Sequence, residues 1–462
     1  MSQPNILFLM TDQQRWDALG CTGGWVNTPN LDRIAGQGVL FSRCVTNSPV
    51  CISARLSLAT GLYPHNTGVW NNMNHTLNPE TPTWMQAVRS AGYRTSLFGK
   101  THLHPHSGDL RDREDLIQVY GLDDVNEIGG PRASARILSH MTADWEQKGL
   151  WETYRADYAE RFGNKPHVVR PSVLGLENYA DVYIGQQAKN YLKTYQWDHP
   201  WFCWVSFGGP HEPWDTPEPY ANMYCAEDMP PPIQPPSMDG LGLPENYLDR
   251  RLKNGPQPAI SPQEARRLRV DYAGNITLID DQIGQILDTI EARGELDNTV
   301  IAFVSDHGEM NGDYGLIYKS NFLNGAVRVP LIVRTPETAT VDLPNRICDS
   351  PVEWIDIGPT LVELANGTIN YGQYGKSLSL VLNDPDTDHR TEAISELEGE
   401  VMLLDREWKI ALNSEGAPYL LFDVQRDPDE INNLVTAPEM QETVSRLRLR
   451  ILERLMQTRT QK

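Results

Sequence analysis

Short apolar runs alternate with amphipathic stretches over most of this chain. Asn5–Met10 is apolar and closed by Thr11-Asp12. Arg94–Phe98, closed by Gly99-Lys100, and Trp201–Phe207, closed by Gly208-Gly209-Pro210, repeat that form, as do Thr299–Ser305, closed by Asp306-His307-Gly308, and the short Pro330–Val333. Runs of this length, bounded by turn residues, predict buried strands. Trp84–Ser90, Glu177–Tyr195 and Glu264–Arg293 carry apolar residues at helical spacing. The last shows Leu268, Tyr272, Ile276, Ile279, Ile283, Ile286 and Ile290 before Gly294, which marks a helix with one buried face. Alternating strands and helices predict an α/β fold, a large mixed, mostly parallel sheet sandwiched by helices.

The pattern breaks twice. Residues 103–176 are charged and show no clear period, and residues 213–262 are rich in proline (Pro230, Pro231, Pro232, Pro235, Pro236, Pro244). Both read as insertions that act as lids or binding loops. Beyond Asn366 the period changes. Ala393–Leu397, Val401–Leu404, Trp408–Asn413 and Tyr419–Val424 predict a small antiparallel sheet. A helix starts near Thr436–Glu439 and carries Leu447, Ile451 and Leu455 on one face. The expected organisation is an α/β unit over 1–365, which contains both insertions, and a smaller α+β subdomain over 366–462.

Open parallel sheets bind ligands beyond the carboxyl ends of their strands. Four predicted strands end on or near ionisable groups: Asp12, Lys100, His211, and Asp306 with His307. Cys51 opens a helical segment, Cys51-Ile52-Ser53-Ala54-Arg55-Leu56-Ser57-Leu58-Ala59-Thr60-Gly61, with Arg55 in its first turn. A helix N-terminus and a guanidinium both favour an anion and lower a thiol's pKa. On chemistry alone this is a nucleophile at an anion site.

The 462 residues carry 40 Lys+Arg against 61 Asp+Glu, a formal charge of −21. Such a chain is a poor partner for nucleic acid or for an anionic membrane. The N-terminal apolar run is too short to span a bilayer and lacks the features of a signal peptide. The six cysteines have no framework spacing, and the expectation is a cytoplasmic protein with reduced thiols.

The segment C-x-S-x-R followed by Leu56-Ser57-Leu58-Ala59-Thr60-Gly61 resembles the signature of the type I, formylglycine-dependent sulfatases of the alkaline-phosphatase-like superfamily. That signature has Pro where this chain has Ser53. Thr11-Asp12-Gln13-Gln14, Gly99-Lys100-Thr101-His102-Leu103, Gly209-Pro210-His211-Glu212-Pro213-Trp214, Ser305-Asp306-His307-Gly308-Glu309 and Lys319 resemble the family's other landmarks in order. The C-terminal Phe422-Asp423-Val424 and Glu430-Ile431-Asn432-Asn433 resemble its end.

The resemblance implies a sulfatase that hydrolyses a sulfate ester of a sugar, aryl or small alkyl alcohol. Its implied cofactors are one divalent metal ion (calcium, manganese or magnesium) and a formylglycine made from Cys51 by a separate maturation enzyme. Asp12, Gln13, Cys51, Asp306 and His307 would hold the metal. The hydrated aldehyde at Cys51 would be the nucleophile and Arg55 its charge partner. Lys100 and Lys319 would bind sulfate oxygens, and His102 and His211 would move protons in an order the sequence leaves open. Asn72 is a candidate substrate contact, with Asn71 and Asn74 as alternatives, and Trp214 and His104 are expected near the mouth. Asp17 and Glu309 read as supporting residues. A phosphonate monoester or phosphodiester hydrolase of the same superfamily is the alternative, and a non-catalytic relative is a third reading. The partner is a small molecule, and homo-oligomer formation is left open.

Overall fold

The computed structural model describes residues 3–164, 168–234, 260–341 and 346–459. Pro235, Pro236 and Pro244, part of the expected proline-rich insertion, lie outside the described residues.

Eight strands form the main sheet. They are β1 (Asn5–Thr11), β2 (Val39–Phe41), β4 (Arg94–Gly99), β5 (Asp124–Glu127), β6 (Trp201–Ser206), β7 (Thr299–Ser305), β8 (Leu331–Arg334) and β9 (Ile347–Cys348). Their order is β5-β4-β6-β1-β7-β8-β2-β9. All neighbours pair parallel except β8, which is antiparallel to both β7 and β2. The expected mixed, mostly parallel sheet is therefore observed.

Strand alternation explains why these runs are apolar throughout. Ile6, Phe8 and Met10 of β1 enter one core, with Phe202, Trp204, Val300, Ala302 and Val304. Leu7 and Leu9 enter the other, with Cys203, Val205, Ile301 and Phe303. A sheet buried on both faces has no solvent side to keep polar. Helices Cys51–Thr60, Trp84–Ser90 and Ile357–Leu364 cover the first face. Helices Pro29–Gly36, Ala180–Thr194 and Pro262–Ala292 cover the second. The predicted helix from Glu177 starts at Ala180, after a 3₁₀ turn at Leu176–Asn178.

Residues 103–176 are more than a lid. They supply the edge strand β5 and the helices Glu114–Val119, His140–Gln147 and Trp151–Asn164, and Ile117, Tyr120, Leu122, Met141 and Trp145 are core residues. β5 is short and polar, Asp-Val-Asn-Glu, as an edge strand tends to be, so it left no apolar run to read.

Four further strands, β11 (Ala393–Leu397), β12 (Glu400–Leu404), β13 (Trp408–Leu412) and β14 (Pro418–Asp423), form an antiparallel meander. One face packs on the C-terminal helix Gln441–Gln457 through Val444, Leu447 and Ile451. The other shares a core with Val50, Met310, Leu316 and Phe322, which precede it in the chain. The two-stranded pair β3 (Cys44–Val45) and β10 (Val352–Glu353) lies between the sheets. Among the described residues no helix is long and apolar enough to cross a membrane.

Candidate active site

The strands that end in candidate residues, β4, β6, β1 and β7, are consecutive neighbours in the sheet. Their carboxyl ends therefore deliver Lys100, His211, Asp12 and Asp306-His307 to one place. The helix beginning at Cys51 faces them. Gly99 has φ 117°, and a Cβ there would overlap the Ser206 carbonyl oxygen, so the close approach of β4 to β6 that delivers Lys100 requires glycine.

Arg55, fully buried, organises the centre. Its Nε donates to Asp306 Oδ2 at 2.8 Å and its Nη2 to Asp12 Oδ2 at 3.3 Å, while Nη1 donates to the Lys100 carbonyl at 2.6 Å and to Ser206 Oγ at 3.1 Å. Lys100 Nζ also donates to Asp12 Oδ2. With both Oδ2 atoms held, the Oδ1 atoms turn toward His307 Nε2, 3.8 Å from Asp12 and 3.6 Å from Asp306. His307 Nδ1 lies 3.0 Å from the Gly308 carbonyl, and its Nε2 lies 3.0 Å from Cys51 Sγ. Donation from Nδ1 to a carbonyl is the arrangement that presents Nε2 to a metal.

The donor atoms of Asp12, Cys51, Asp306 and His307 all lie within 4.8 Å of one another, and all four residues are buried. Two carboxylates, an imidazole and a sulfur or its oxidised replacement fit a divalent cation.

Gln13 joins the site in a different way. Its Oε1 accepts from Lys319 Nζ, and its Nε2 donates to Glu212 at 3.0 Å and Glu309 at 2.5 Å. The carboxamide thus links Lys319 to two carboxylates. Glu309 also accepts from the backbone of Asn311 and Tyr318, the supporting role expected of it. Asp17 pairs with Arg15. Lys319 Nζ lies 3.1 Å from His211 Nε2, while His211 Nδ1 lies 2.7 Å from the Glu212 carbonyl. Gln13, His102 and Tyr318 have φ of 69°, 58° and 73°. Non-glycine residues in this region carry local strain, which collects at functional sites.

The electrostatics follow from burial among cations. Burial and Asp12 push the Cys51 thiol up, but Lys100, Lys319 and His307 outweigh them and hold it well below the usual thiol range. Burial raises Asp12 too, yet Lys100, His211, Arg55 and His307 keep it well below an ordinary carboxyl. Burial, then Lys100, His106, Arg55 and His211, hold the His102 imidazole well below its ordinary value, and its buried Nδ1 has no hydrogen-bond partner among the described residues.

Two expected mouth residues are corrected. Trp214 is 1% exposed and packs in the core with Leu268, Tyr272 and Ile276, its ring 6.1 Å from that of Tyr272; the turn after His211 carries it inward. His104 is 2% exposed, with Nε2 2.7 Å from Glu127, in a separate cluster behind His102. Asn72 is exposed, and its Oδ1 accepts from Ile52 N at 3.0 Å, capping the Cys51 helix. Glu127 and Arg132 carry no motif in the sequence, and Glu212 stands in the His211 segment without having been singled out as a site residue. Arg132 pairs with Glu212 and lies over the rings of Phe162 and Tyr318. The Ser53 hydroxyl, where the family signature has proline, donates to the Val69 carbonyl at 2.7 Å.

The family model described as Sulfatase matches residues 4–368. This chain belongs to the sulfatase family. A second model, for the C-terminal part of N-sulphoglucosamine sulphohydrolase, matches residues 312–458 of this sulfatase. An arylsulfatase of Clostridium perfringens is 28% identical over 471 residues, covering 98% of this chain and 94% of that protein. A choline-sulfatase of Rhizobium meliloti is 27% identical over 453 residues, with 94% and 83% covered. The solved phosphonate monoester hydrolase of Silicibacter pomeroyi superposes with a TM-score of 0.78 at 24% identity, covering 99% of this chain and 96% of that one; it supports the fold. Family membership makes this sulfatase a sulfuric ester hydrolase.

Proposed function

We propose that this sulfatase cleaves the sulfate ester of a small organic alcohol at Cys51, converted to formylglycine, with a divalent cation held by Asp12, Asp306 and His307. The observation that carries the reading is the position of Cys51. It opens a helix, its Sγ 3.0 Å from His307 Nε2 and 3.8 Å from Asp12 Oδ1, within the field of Lys100 and Lys319. A formylglycine hydrate at position 51 would supply a nucleophilic hydroxyl, and a divalent cation held by Asp12, Asp306 and His307 would lower that hydroxyl's pKa.

The chain's own residues do the rest. Arg55 fixes the two carboxylates and neutralises their charge. Lys100 and Lys319 favour the sulfate oxygens as negative charge grows on them. His102, kept neutral by burial and by neighbouring cations, accepts the proton of the attacking hydroxyl. His211, whose Nε2 lies 3.1 Å from Lys319 Nζ, delivers a proton to the leaving oxygen. Asn72, with its oxygen held by Ile52, offers its amide nitrogen toward the substrate. Arg132 and Tyr318 form part of the rim.

The test has two parts. Peptide mass spectrometry across Cys51 reads conversion of the thiol to the aldehyde. Parallel kinetics on an aryl sulfate and an aryl phosphonate monoester read the chemistry. The expected result is an aldehyde at position 51, clear preference for the sulfate and loss of turnover on chelation. Preference for the phosphonate establishes the alternative hydrolase, and an intact thiol in an active protein refutes the formylglycine route.

A further inference from the structure

A second group of metal-type side chains lies apart from the Cys51 centre. His104, His106 and Glu127 bring their donor atoms within 4.8 Å of one another. Their side chains are 2%, 3% and 1% exposed. His104 Nε2 lies 2.7 Å from Glu127 Oε2, and His106 Nε2 lies 3.2 Å from Glu127 Oε1. The opposite ring nitrogens face backbone oxygens: His104 Nδ1 is 3.1 Å from the Pro105 carbonyl and His106 Nδ1 is 3.1 Å from the Gly129 carbonyl.

Counting hydrogens makes this arrangement informative. Four ring nitrogens face four oxygens, and each of those oxygens belongs to a carbonyl or carboxylate that cannot donate. Two neutral imidazoles carry two N–H groups between them. With Glu127 ionised, filling all four contacts takes either two imidazolium rings or a cation in place of two protons. The first requires two buried cations with ring centroids 5.6 Å apart on one carboxylate, and the His106 ring lies a further 4.2 Å from that of His102. The second matches a familiar pattern, in which each metal-ligating histidine donates its other N–H to a backbone carbonyl. The 3.2 Å separation of His106 Nε2 from Glu127 is close to the roughly 3.3 Å ligand–ligand edge of a tetrahedron with bonds of about 2.0 Å, and the 2.7 Å separation of His104 Nε2 is about 0.6 Å shorter.

We propose that His104, His106 and Glu127 form a second metal site that takes a divalent transition-metal ion, zinc by donor set. The site ties the 101–106 segment, which follows β4, to the end of β5. It thereby clamps the backbone on either side of His102, and Thr101 adds its hydroxyl to Glu127. This proposal is independent of the chemistry at Cys51, because it is read by metal content rather than turnover.

The experiment strips the full-length protein with a chelator, reloads it with Zn2+ or Co2+, and counts bound metal by elemental mass spectrometry. It includes His106→Ala and the nearly isosteric Glu127→Gln, which guards against a folding defect in the first. Each variant is expected to bind one ion fewer per chain than wild type, to lose a Co2+ ligand-field band and to lose the rise in melting temperature on adding Zn2+. Asp306→Asn is expected to retain that band, which separates the two centres. Unchanged metal content and zinc response in both variants overturn the proposal and leave a protonated histidine–glutamate cluster.

Discussion

At the scale of single residues, the site depends on charges held away from water. Arg55 is the common partner of Asp12 and Asp306. Removing one member of such a buried network strands the others, at a typical cost of about 3–5 kcal/mol. Arg55→Ala is therefore expected to lose several kcal/mol in urea unfolding as well as its turnover. A different buried pair sets pH dependence. Burial and the neighbouring Asp215 push Asp271 up to about 8, while an unfolded Asp titrates near 4. Between those values the folded chain holds a proton that the unfolded chain has released, so this group's contribution to stability falls as pH rises, by at most about 1.4 kcal/mol per pH unit. Asp271→Asn keeps an oxygen to accept from Thr216 N but cannot ionise. Melting curves are expected to show it gaining on wild type at pH 8 relative to pH 5.

At the scale of elements, the helix Cys51–Thr60 has no side-chain cap from its own preceding residue Val50. Asn72 supplies that acceptor from another segment. Asn72→Ala is expected to cost about 1 kcal/mol. Asn72→Asp restores the acceptor while removing the amide donor, so it is expected to recover the melting temperature but raise KM. Recovery of both would make Asn72 a cap and nothing more. The expected strands of the main sheet were legible because both of their faces are buried, which leaves unbroken apolar runs. β5 was not, because an edge strand of four residues with Asp124, Asn126 and Glu127 carries no such run. That omission also hid Glu127.

At the scale of the molecule, the C-terminal sheet supports the catalytic machinery. Phe422, Met402 and Leu404 share a core with Val50, the residue before Cys51, and with Met310, Leu316 and Phe322, which flank Lys319. Lys409 donates to the Phe322 carbonyl at 3.1 Å and pairs with Glu430. Phe422→Ala, which removes a fully buried ring, is expected to cost about 3–5 kcal/mol. It is also expected to lower kcat/KM for a sulfate ester by loosening the Lys319 loop, measured as steady-state kinetics below the melting transition.

The sequence by itself determined the strand–helix alternation, the mixed parallel sheet, the small antiparallel sheet and the residues at the strand ends. All of these follow from local periodicity and from motifs of a few consecutive residues. Tertiary structure decided how those residues meet. It made β4, β6, β1 and β7 neighbours, so that Lys100, His211, Asp12 and Asp306 converge. It turned Trp214 into the core, although that residue closes a recognisable motif, and it paired His104, just beyond another, with Glu127. Side-chain direction after a turn depends on what packs there, and residues distant in sequence provide that packing. The buried charge balance around Cys51 is likewise a property of the assembled site, since Lys319 and His307 come from more than 250 positions away.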